Sequence, residues 1–501
     1  MLKINGELIL KINVVHFLAV LCLVLFTTDI YSQSYLGLND SYAAILSERG
    51  QTYDAWSMSM GNAYSTFGNS YTAILFNPAT LATAEKTTFT TSVGLNLYRN
   101  TTNYLSTETS SLKTQTNLSQ FGLVLPFKSD STGRTFALSL GYNQSKDFNR
   151  IVEFEGYNAN GSFVNDLVLD GKNIARNLLL SYPYNDPVSG EYFEDRTILN
   201  NNLQQKGSLI NDGGLYNWSA GASYEFAYNV FFGASVNYAI GTLQSNREIS
   251  ETDINDFYSL TTTTIPDSSL TAGFESFRFN DVVDWSYNGW DARFGLLYKF
   301  FDFIRIGGSV KLPTTFVISE DHYFNGESNF STGYTKTLDV PVVSSKYEIT
   351  SPFEFTAAAS VNIWFITGAA EVSYTDYTQM RFSGDEDPPV YAEINKQILE
   401  KYTQVFNLRA GAEFRLPFTG LSARAGFMYN PSPLANTPTE YDRKILNAGL
   451  GISSGEGDFE FHVTYSRSWW DEPGEGFGPN VPPVDQSIKI DNIMTSFTVR
   501  F

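Results

Sequence analysis

Apolar and polar residues alternate along most of this chain, and the alternation restricts its fold more than any other feature. Between Trp218 and Phe226 the even positions carry Trp, Ala, Ala, Tyr and Phe, while the odd positions carry Ser, Gly, Ser and Glu. A period of two is typical of a β-strand with two unlike faces. Beyond the N-terminal segment, no uninterrupted apolar stretch reaches the roughly 18 residues that a membrane-spanning helix needs. The sequence therefore predicts strands.

The alternating segments predict fourteen strands with alternately short and long connections. Ser129–Gly133 and Gly455–Gly457 are short, whereas 148–215 and 244–287 are long. An even strand number with tight turns at one end and long loops at the other is typical of an outer-membrane barrel, which puts both chain ends in the periplasm. We expect an all-β fold, a 14-stranded antiparallel transmembrane β-barrel. The predicted strands cover residues 87–98, 114–127, 134–147, 216–228, 230–243, 288–300, 303–314, 350–364, 366–378, 403–417, 420–430, 443–454, 458–468 and 489–501.

The charged residues of these strands share one parity, as a polar lumen requires. A soluble β-sandwich would alternate too, but tryptophans at or beside the predicted strand ends favour a membrane barrel with interfacial aromatic girdles. The terminal Phe501 also fits the membrane-insertion signal of such barrels. The residues predicted to face the lumen are Glu225, Asp291, Arg293, Lys311, Glu371, Arg409, Glu413, Arg424, Glu460 and His462.

Composition excludes several functions. The net charge of −20 disfavours a nucleic-acid partner. A single cysteine, Cys22, and three histidines leave little for disulfides, zinc sites or acid–base catalysis. The acidic loop cluster Asp385–Asp387 lacks the spacing of a calcium-binding loop. We therefore expect no metal, no cofactor and no enzymatic activity.

Residues 1–32 are predicted to be a signal peptide. Lys3 and Lys11 precede or flank a short apolar run, and cleavage is expected after Ser32. Lipidation at Cys22 is the alternative, but Leu21 stands where a small residue is needed. The mature protein is thus expected in the outer membrane of a Gram-negative bacterium.

Residues 57–82 read SMSMGNAYSTFGNSYTAILFNPATLA. This segment resembles the N-terminal hatch of the FadL/TodX family of outer-membrane transporters of long-chain fatty acids and other hydrophobic compounds. The shared points are Met60-Gly61 with Ala63, the stretch 69–73, and Asn77-Pro78-Ala79 with Leu81. The resemblance implies a hatch at residues 33–86 inside a barrel at 87–501, with Gly61, Asn77, Pro78 and Ala79 as hatch residues. It also implies a kinked third strand beside a lateral exit, for which Gly141 is the candidate.

The resemblance implies passive uptake of a hydrophobic ligand by loop capture, an internal pocket and lateral release. Leu270, Phe274, Phe277 and Phe279 are the candidate entry groove, with packing of a long loop as the alternative. A ligand carboxylate would need a cation, for which Arg293, Arg409 and Arg424 are candidates, with salt-bridged lumen packing as the alternative.

Two other functions remain open. Barrels resembling this family also serve as scaffold or shuttle components of a protein secretion system. The long acidic loops of this chain leave that alternative open. A general diffusion porin is disfavoured because such barrels usually have more strands. The partners expected in either case are outer-membrane lipid, lipopolysaccharide and the barrel-assembly machinery.

Overall fold

A computed structural model describes residues 40–501, except for 51–52, 69, 130–132, 170–172, 187, 260–270, 302, 385–388, 455–456, 476 and 479–480. The predicted signal peptide, Cys22, Leu270 and the cluster Asp385–Asp387 lie outside the described residues. The strands are β1 Thr88–Tyr104, β2 Thr107–Lys128, β3 Thr135–Asp147, β4 Arg150–Asn158, β5 Tyr182–Asn185, β6 Tyr192–Arg196, β7 Leu203–Ala227, β8 Val230–Thr252, β9 Phe274–Phe300, β10 Ile304–Lys311, β11 Thr315–Phe330, β12 Thr335–Asp339, β13 Val343–Thr350, β14 Glu354–Ile363, β15 Ile366–Asp376, β16 Arg381–Ser383, β17 Gln404–Arg415, β18 Leu421–Asn430, β19 Arg443–Ser453, β20 Phe459–Glu475 and β21 Val484–Arg500.

The helices are few and short. The α-helices are α1 Asp40–Ser47, α2 Ala55–Ser59, α3 Ala73–Phe76, α4 Phe163–Leu169, α5 Ile174–Asn177 and α6 Pro389–Lys401, and three 3₁₀ turns cover Pro78–Thr83, Tyr377–Gln379 and Thr439–Tyr441. Within the described part of the chain, no helix is both long and apolar enough to cross a membrane.

Fourteen strands close into an antiparallel barrel, as predicted. Each pairs with the next in the order β1, β2, β3, β7, β8, β9, β10, β14, β15, β17, β18, β19, β20 and β21, and β21 pairs with β1. At the seam the amide of Phe501 donates to the carbonyl of Thr87 at 2.9 Å. The terminal aromatic residue therefore completes the last rung of the barrel.

Several strands extend well beyond the predicted ends on the side of the long loops. β10 and β11 form one strand interrupted at 312–314, and β13 and β14 form another interrupted at 351–353. The extensions build an extracellular dome with its own apolar core, which contains Tyr104, Phe154, Phe277 and Phe324. The sequence did not predict this dome because its strands lie in segments that were assigned to loops.

The outer surface confirms the predicted parity. Trp290 is 61% exposed and Phe300, ten residues further along β9, is 44% exposed, whereas Arg293 between them is buried. Ten residues span about 33 Å along a strand, which at a tilt of about 40° crosses roughly 25 Å, the height of an outer-membrane apolar band. Aromatic side chains at both ends of this band, with polar groups inside, make this a transmembrane barrel of the outer membrane.

Candidate functional site

The N-terminal segment fills the lumen, and we call its described residues between 40 and 86 the hatch. Asn77 is fully buried; its side-chain nitrogen donates to the carbonyls of Ser65 (2.9 Å) and Leu296 (3.0 Å), and its oxygen accepts from the Ala79 amide (3.1 Å). Asn77 therefore caps the 3₁₀ turn that Pro78 begins and ties that turn to the barrel wall.

Glycines of the wall make room for the hatch at three places. A Cβ atom on Gly233 would lie 2.4 Å from the Ala79 nitrogen, and one on Gly295 would lie 1.9 Å from the Asn77 side-chain oxygen. Across the lumen, Cβ atoms on Gly411 and Gly426 would lie 2.2 Å and 2.1 Å from the Met60 carbonyl and the Gly61 nitrogen. The third place is formed by Gly122 and Gly141, against the ring of Tyr71. Hatch backbone thus packs against the wall at Gly233, Gly411 and Gly426, and hatch side chains fill the space at the other glycines.

Ion pairs add a second attachment. Arg49 of the hatch lies 3.4 Å from both Glu354 and Glu371 of the wall. The three arginines predicted to bind a ligand are already neutralised by carboxylates. The pairs are Arg293 with Glu354 (3.0 Å), Arg409 with Glu371 (2.6 Å) and Arg424 with Glu413 (2.5 Å). The structure thus gives these arginines lumen-packing contacts, since breaking a buried pair would leave an uncompensated charge.

The predicted entry groove is closed. Phe274, Phe277 and Phe279 are buried in the apolar core of the dome, where Phe277 and Phe279 contact Phe163. These residues pack the long loop, which is the alternative stated above.

The barrel wall opens between β2 and β3. β2 pairs with β1 up to Thr107, but it pairs with β3 only between Gln120 and Lys128. Beyond Asn143, β3 keeps its pairing with β7, and β4 continues along β7 after residues 148–149. Above the last rung, Gln120 with Asn143, β2 is therefore not paired with β3, and we call this gap in the ladder the lateral opening.

The kink predicted at Gly141 is corrected by the register of β3. The pairing is regular at Gly141, and the register shift lies between Gln144 and Lys146. Gly141 is required for another reason, because a Cβ atom there would lie 2.6 Å from the Tyr71 ring. The bulge falls at Ser145, a residue type that gives no sequence signal for one.

A cavity of about 240 Å³ is lined by residues from both sides of this gap, Lys113 and Gln115 of β2 and Ser145 to Asp147 of β3, and we call it the wall cavity. It runs along the inner wall from β19 to β2, beside hatch residues 45–50. Its apolar lining consists of Ile45, Tyr98, Phe148, Leu243, Trp470 and Ile490. Its charged lining consists of the basic residues Arg49, Lys113, Lys146, Arg150 and Arg443 and the acidic residues Glu48, Asp147 and Glu472. The cavity therefore carries an excess of positive charge in a chain whose net charge is −20.

Arg443 differs from the other two arginines of the wall cavity. Arg150 pairs with Glu472 at 2.6 Å, and Arg49 has the two carboxylates named above. Among the described residues no carboxylate lies within ion-pair distance of Arg443: its guanidinium stacks on Trp470 at 4.4 Å, its Nη2 is 3.4 Å from the Ser468 hydroxyl, and its Nε is buried without a partner. Arg443 has the parity of the lumen, but the sequence does not reveal which lumen arginine lacks a carboxylate.

Glu48 is the acidic group of the hatch in this cavity. Burial inside the barrel raises the pKa of its carboxyl, against the opposing effect of Lys146 and Arg443. Burial therefore makes Glu48 harder to ionise than an exposed glutamate. Within the described residues no group of three or more His, Cys, Asp or Glu side chains is arranged to hold a metal ion.

No protein-family model and no curated protein matches this chain. Solved structures do match. A FadL homologue from Pseudomonas aeruginosa has a TM-score of 0.54 at 12% identity, over 91% of this chain and 100% of that one. This chain has the FadL-type barrel fold. The toluene transporter TodX from Pseudomonas putida matches with a TM-score of 0.52 at 15% identity, over 90% of this chain and 99% of that one.

The FadL-type fold confirms the predicted architecture of fourteen strands and a lumen-filling N-terminal segment. At these sequence identities the match supports the fold alone. The gap beside Ser145, the wall cavity and Arg443 are therefore described from the structure of this chain alone.

Proposed function

We propose that this barrel takes up hydrophobic compounds passively across the outer membrane and releases them sideways, with long-chain fatty acids as the preferred class. The observation that supports the proposal is the wall cavity, whose lining includes hatch residues and residues on both sides of the gap between β2 and β3. The structural likeness to a FadL homologue and to a toluene transporter supports the same class of function.

The hatch favours a lateral route over an axial one. Three glycine contacts and the Arg49 ion pairs hold it against the wall, so axial passage would require all of them to break. A ligand that leaves between β2 and β3 crosses no such contact. An alkyl chain entering the wall cavity gains about 0.8 kcal/mol for each methylene removed from water.

Arg443 supports an acid as the ligand. A carboxylate placed against its free Nε would form a charge-assisted hydrogen bond while the alkyl chain follows the apolar lining toward β2. This residue takes the role that was predicted for Arg293, Arg409 and Arg424.

Calorimetry on the detergent-purified barrel tests the proposal. The detergent is first exchanged for amphipol, so that no detergent tail competes for the binding site. Laurate, dodecanol and toluene are then titrated in turn. We expect all three to bind and laurate to bind most tightly. If none binds, and laurate uptake by vesicles containing the barrel equals uptake by empty vesicles, the transport function is wrong.

A further inference from the structure

One edge of β2 has no strand partner over half of its length. Residues 107–119 pair with β1 on one side, and the pairing with β3 begins only at Gln120. β4 does not pair with this edge of β2. It pairs with β7, and its other edge faces the inner side of β1. There the Asn100 amide donates to the Ile151 carbonyl (3.1 Å) and the Thr102 hydroxyl donates to the Glu153 carbonyl (2.6 Å).

The free edge starts beside Phe121, at the level of the outer aromatic belt, and its tip around Ser110 lies outside the membrane. The aromatic belt on the outer face of this wall is formed by Phe121, Tyr142 and Trp218, whose rings contact one another. Ser110 is eleven residues beyond Phe121, which places it about 36 Å further along the strand at 3.3 Å per residue. The edge is therefore presented on the extracellular side.

Proteins usually protect a free edge with proline, a bulge, a charge or a covering element, because unpaired backbone groups recruit other strands. Between Thr107 and Leu118 the sequence TETSSLKTQTNL has no proline, and its pairing with β1 has no register shift. Its single lysine, Lys113, reaches inward to the Asn211 carbonyl and Asp212 (2.8 Å and 2.6 Å). The tip around Ser110 therefore has no proline and no bulge, and its one charged residue is Glu108.

A groove of about 550 Å³ runs beside this tip. Its floor is the outer face of β4, β7 and β8 and carries Glu153, Glu155 and Glu248. Lys206 pairs with Glu155 at 2.9 Å and Arg278 pairs with Glu248 at 3.3 Å, while Glu153 accepts a hydrogen bond from the Ser111 hydroxyl. Glu108 adds a further acid from β2 itself, while Leu112 and Leu118 are exposed on the outer face of the edge. A strand added to β2 would place alternate side chains over the acidic floor and the others beside these leucines.

We infer that the tip of β2 is a docking site for an extended segment of an exported protein, in which basic residues alternate with apolar ones. The segment adds one strand to the barrel wall by backbone hydrogen bonds, and the acidic floor selects its charge. Lipopolysaccharide phosphates are repelled by the same acids. This inference does not depend on the transport function, and it gives the scaffold alternative a specific surface.

A disulfide-trapping experiment tests the inference on the full chain with Cys22→Ser, which is otherwise free of cysteine. Ser110→Cys is placed on the free edge, and Thr101→Cys is its matched control. Thr101 lies directly opposite Ser110 on the same face, with hydroxyls 3.3 Å apart, but β1 is paired on both sides. The probe is an eleven-residue peptide of alternating lysine and valine with one central cysteine in a valine position, and the same peptide with glutamate for lysine is the charge control.

We expect the lysine peptide to cross-link to Ser110→Cys at least five times more than to Thr101→Cys, and at least five times more than the glutamate peptide does. Equal cross-linking at both sites, or none at Ser110→Cys, would overturn the docking site. Equal cross-linking of both peptides would overturn the charge selection. A disulfide-linked dimer of Ser110→Cys without peptide would assign the edge to a second copy of this chain instead.

Discussion

The carbonyl oxygen of Ser145 lies 1.5 Å from the point where a Cβ atom on Gly50 would stand. Gly50 belongs to the hatch and Ser145 to the bulge of β3, so the hatch backbone rests directly on the residue where the third strand changes its register. The Lys146 ammonium, next along the strand, donates to the Ile45 carbonyl of α1 at 2.5 Å. This contact therefore couples the hatch to the bulge of β3 beside the lateral opening.

Substituting Gly50 tests this coupling. In Gly50→Ala the new methyl group must displace either the hatch or β3, and overpacking of this kind costs about 1–3 kcal/mol. We expect a lower melting temperature and slower laurate uptake in reconstituted vesicles. Gly368→Ala is the control, because a Cβ atom there meets only the Val361 side chain, at 3.8 Å. Wild-type uptake and stability in Gly50→Ala would refute the coupling.

Arg443→Gln tests the anchor for the ligand carboxylate. Loss of a hydrogen bond to a charged group costs about 1.5–3 kcal/mol, which corresponds to a roughly 10- to 150-fold weaker affinity. We expect this loss for laurate and little change for dodecanol, measured by calorimetry. Arg305→Gln is the control, since Arg305 also lacks an ion pair among the described residues but contacts the Thr66 carbonyl outside the wall cavity. Equal losses for laurate and dodecanol would show that Arg443 only shapes the cavity.

Glu48 makes the affinity for an acid depend on pH. Because burial raises the pKa of Glu48, the group ionises above the usual range of a glutamate, and its negative charge then repels a bound carboxylate. Laurate binding should therefore weaken as the pH rises through that raised pKa. Glu48→Gln should bind laurate more tightly at high pH and show a weaker dependence, with the remainder due to Lys146, whose pKa burial lowers to about 7, while dodecanol binding stays level in both proteins. An unchanged pH profile in Glu48→Gln would exclude Glu48 as its source.

Asn77→Ala tests the attachment of the hatch. It leaves a buried carbonyl of Ser65 and the Ala79 amide without the Asn77 side chain, at a cost of about 1–3 kcal/mol. Hydrogen exchange of the hatch amides should become about 5- to 150-fold faster, with a smaller change in the barrel strands. Asn362→Ala, at an exposed periplasmic turn, serves as the control. Protection of the hatch that matches wild type would contradict its dependence on Asn77.

The sequence predicts the barrel well because each strand carries its own evidence. The parity of Arg293 and Leu296 is readable within a few residues, and so is the strand number. The contacts of the hatch cannot be predicted from neighbouring residues, since Gly295 and Gly411 contact hatch residues more than two hundred positions away. Arg443 is similar: its direction follows from parity, but its lack of a carboxylate depends on where the acids of other strands come to lie. The bulge at Ser145 follows from pairing with β7 and has no local signature.

The glycine contacts of the hatch also constrain the order in which the protein can assemble. Residues near Asn77 meet β8 and β9, but Met60 and Gly61 meet β17 and β18, which are among the last strands to be synthesised. The segment that is made first therefore cannot complete its packing until the C-terminal strands arrive. Contacts between residues so distant in sequence form slowly. Phe501 pairs with Thr87, the residue that directly follows the hatch, so the packing of the hatch and the closure of the wall both require the C-terminal strands.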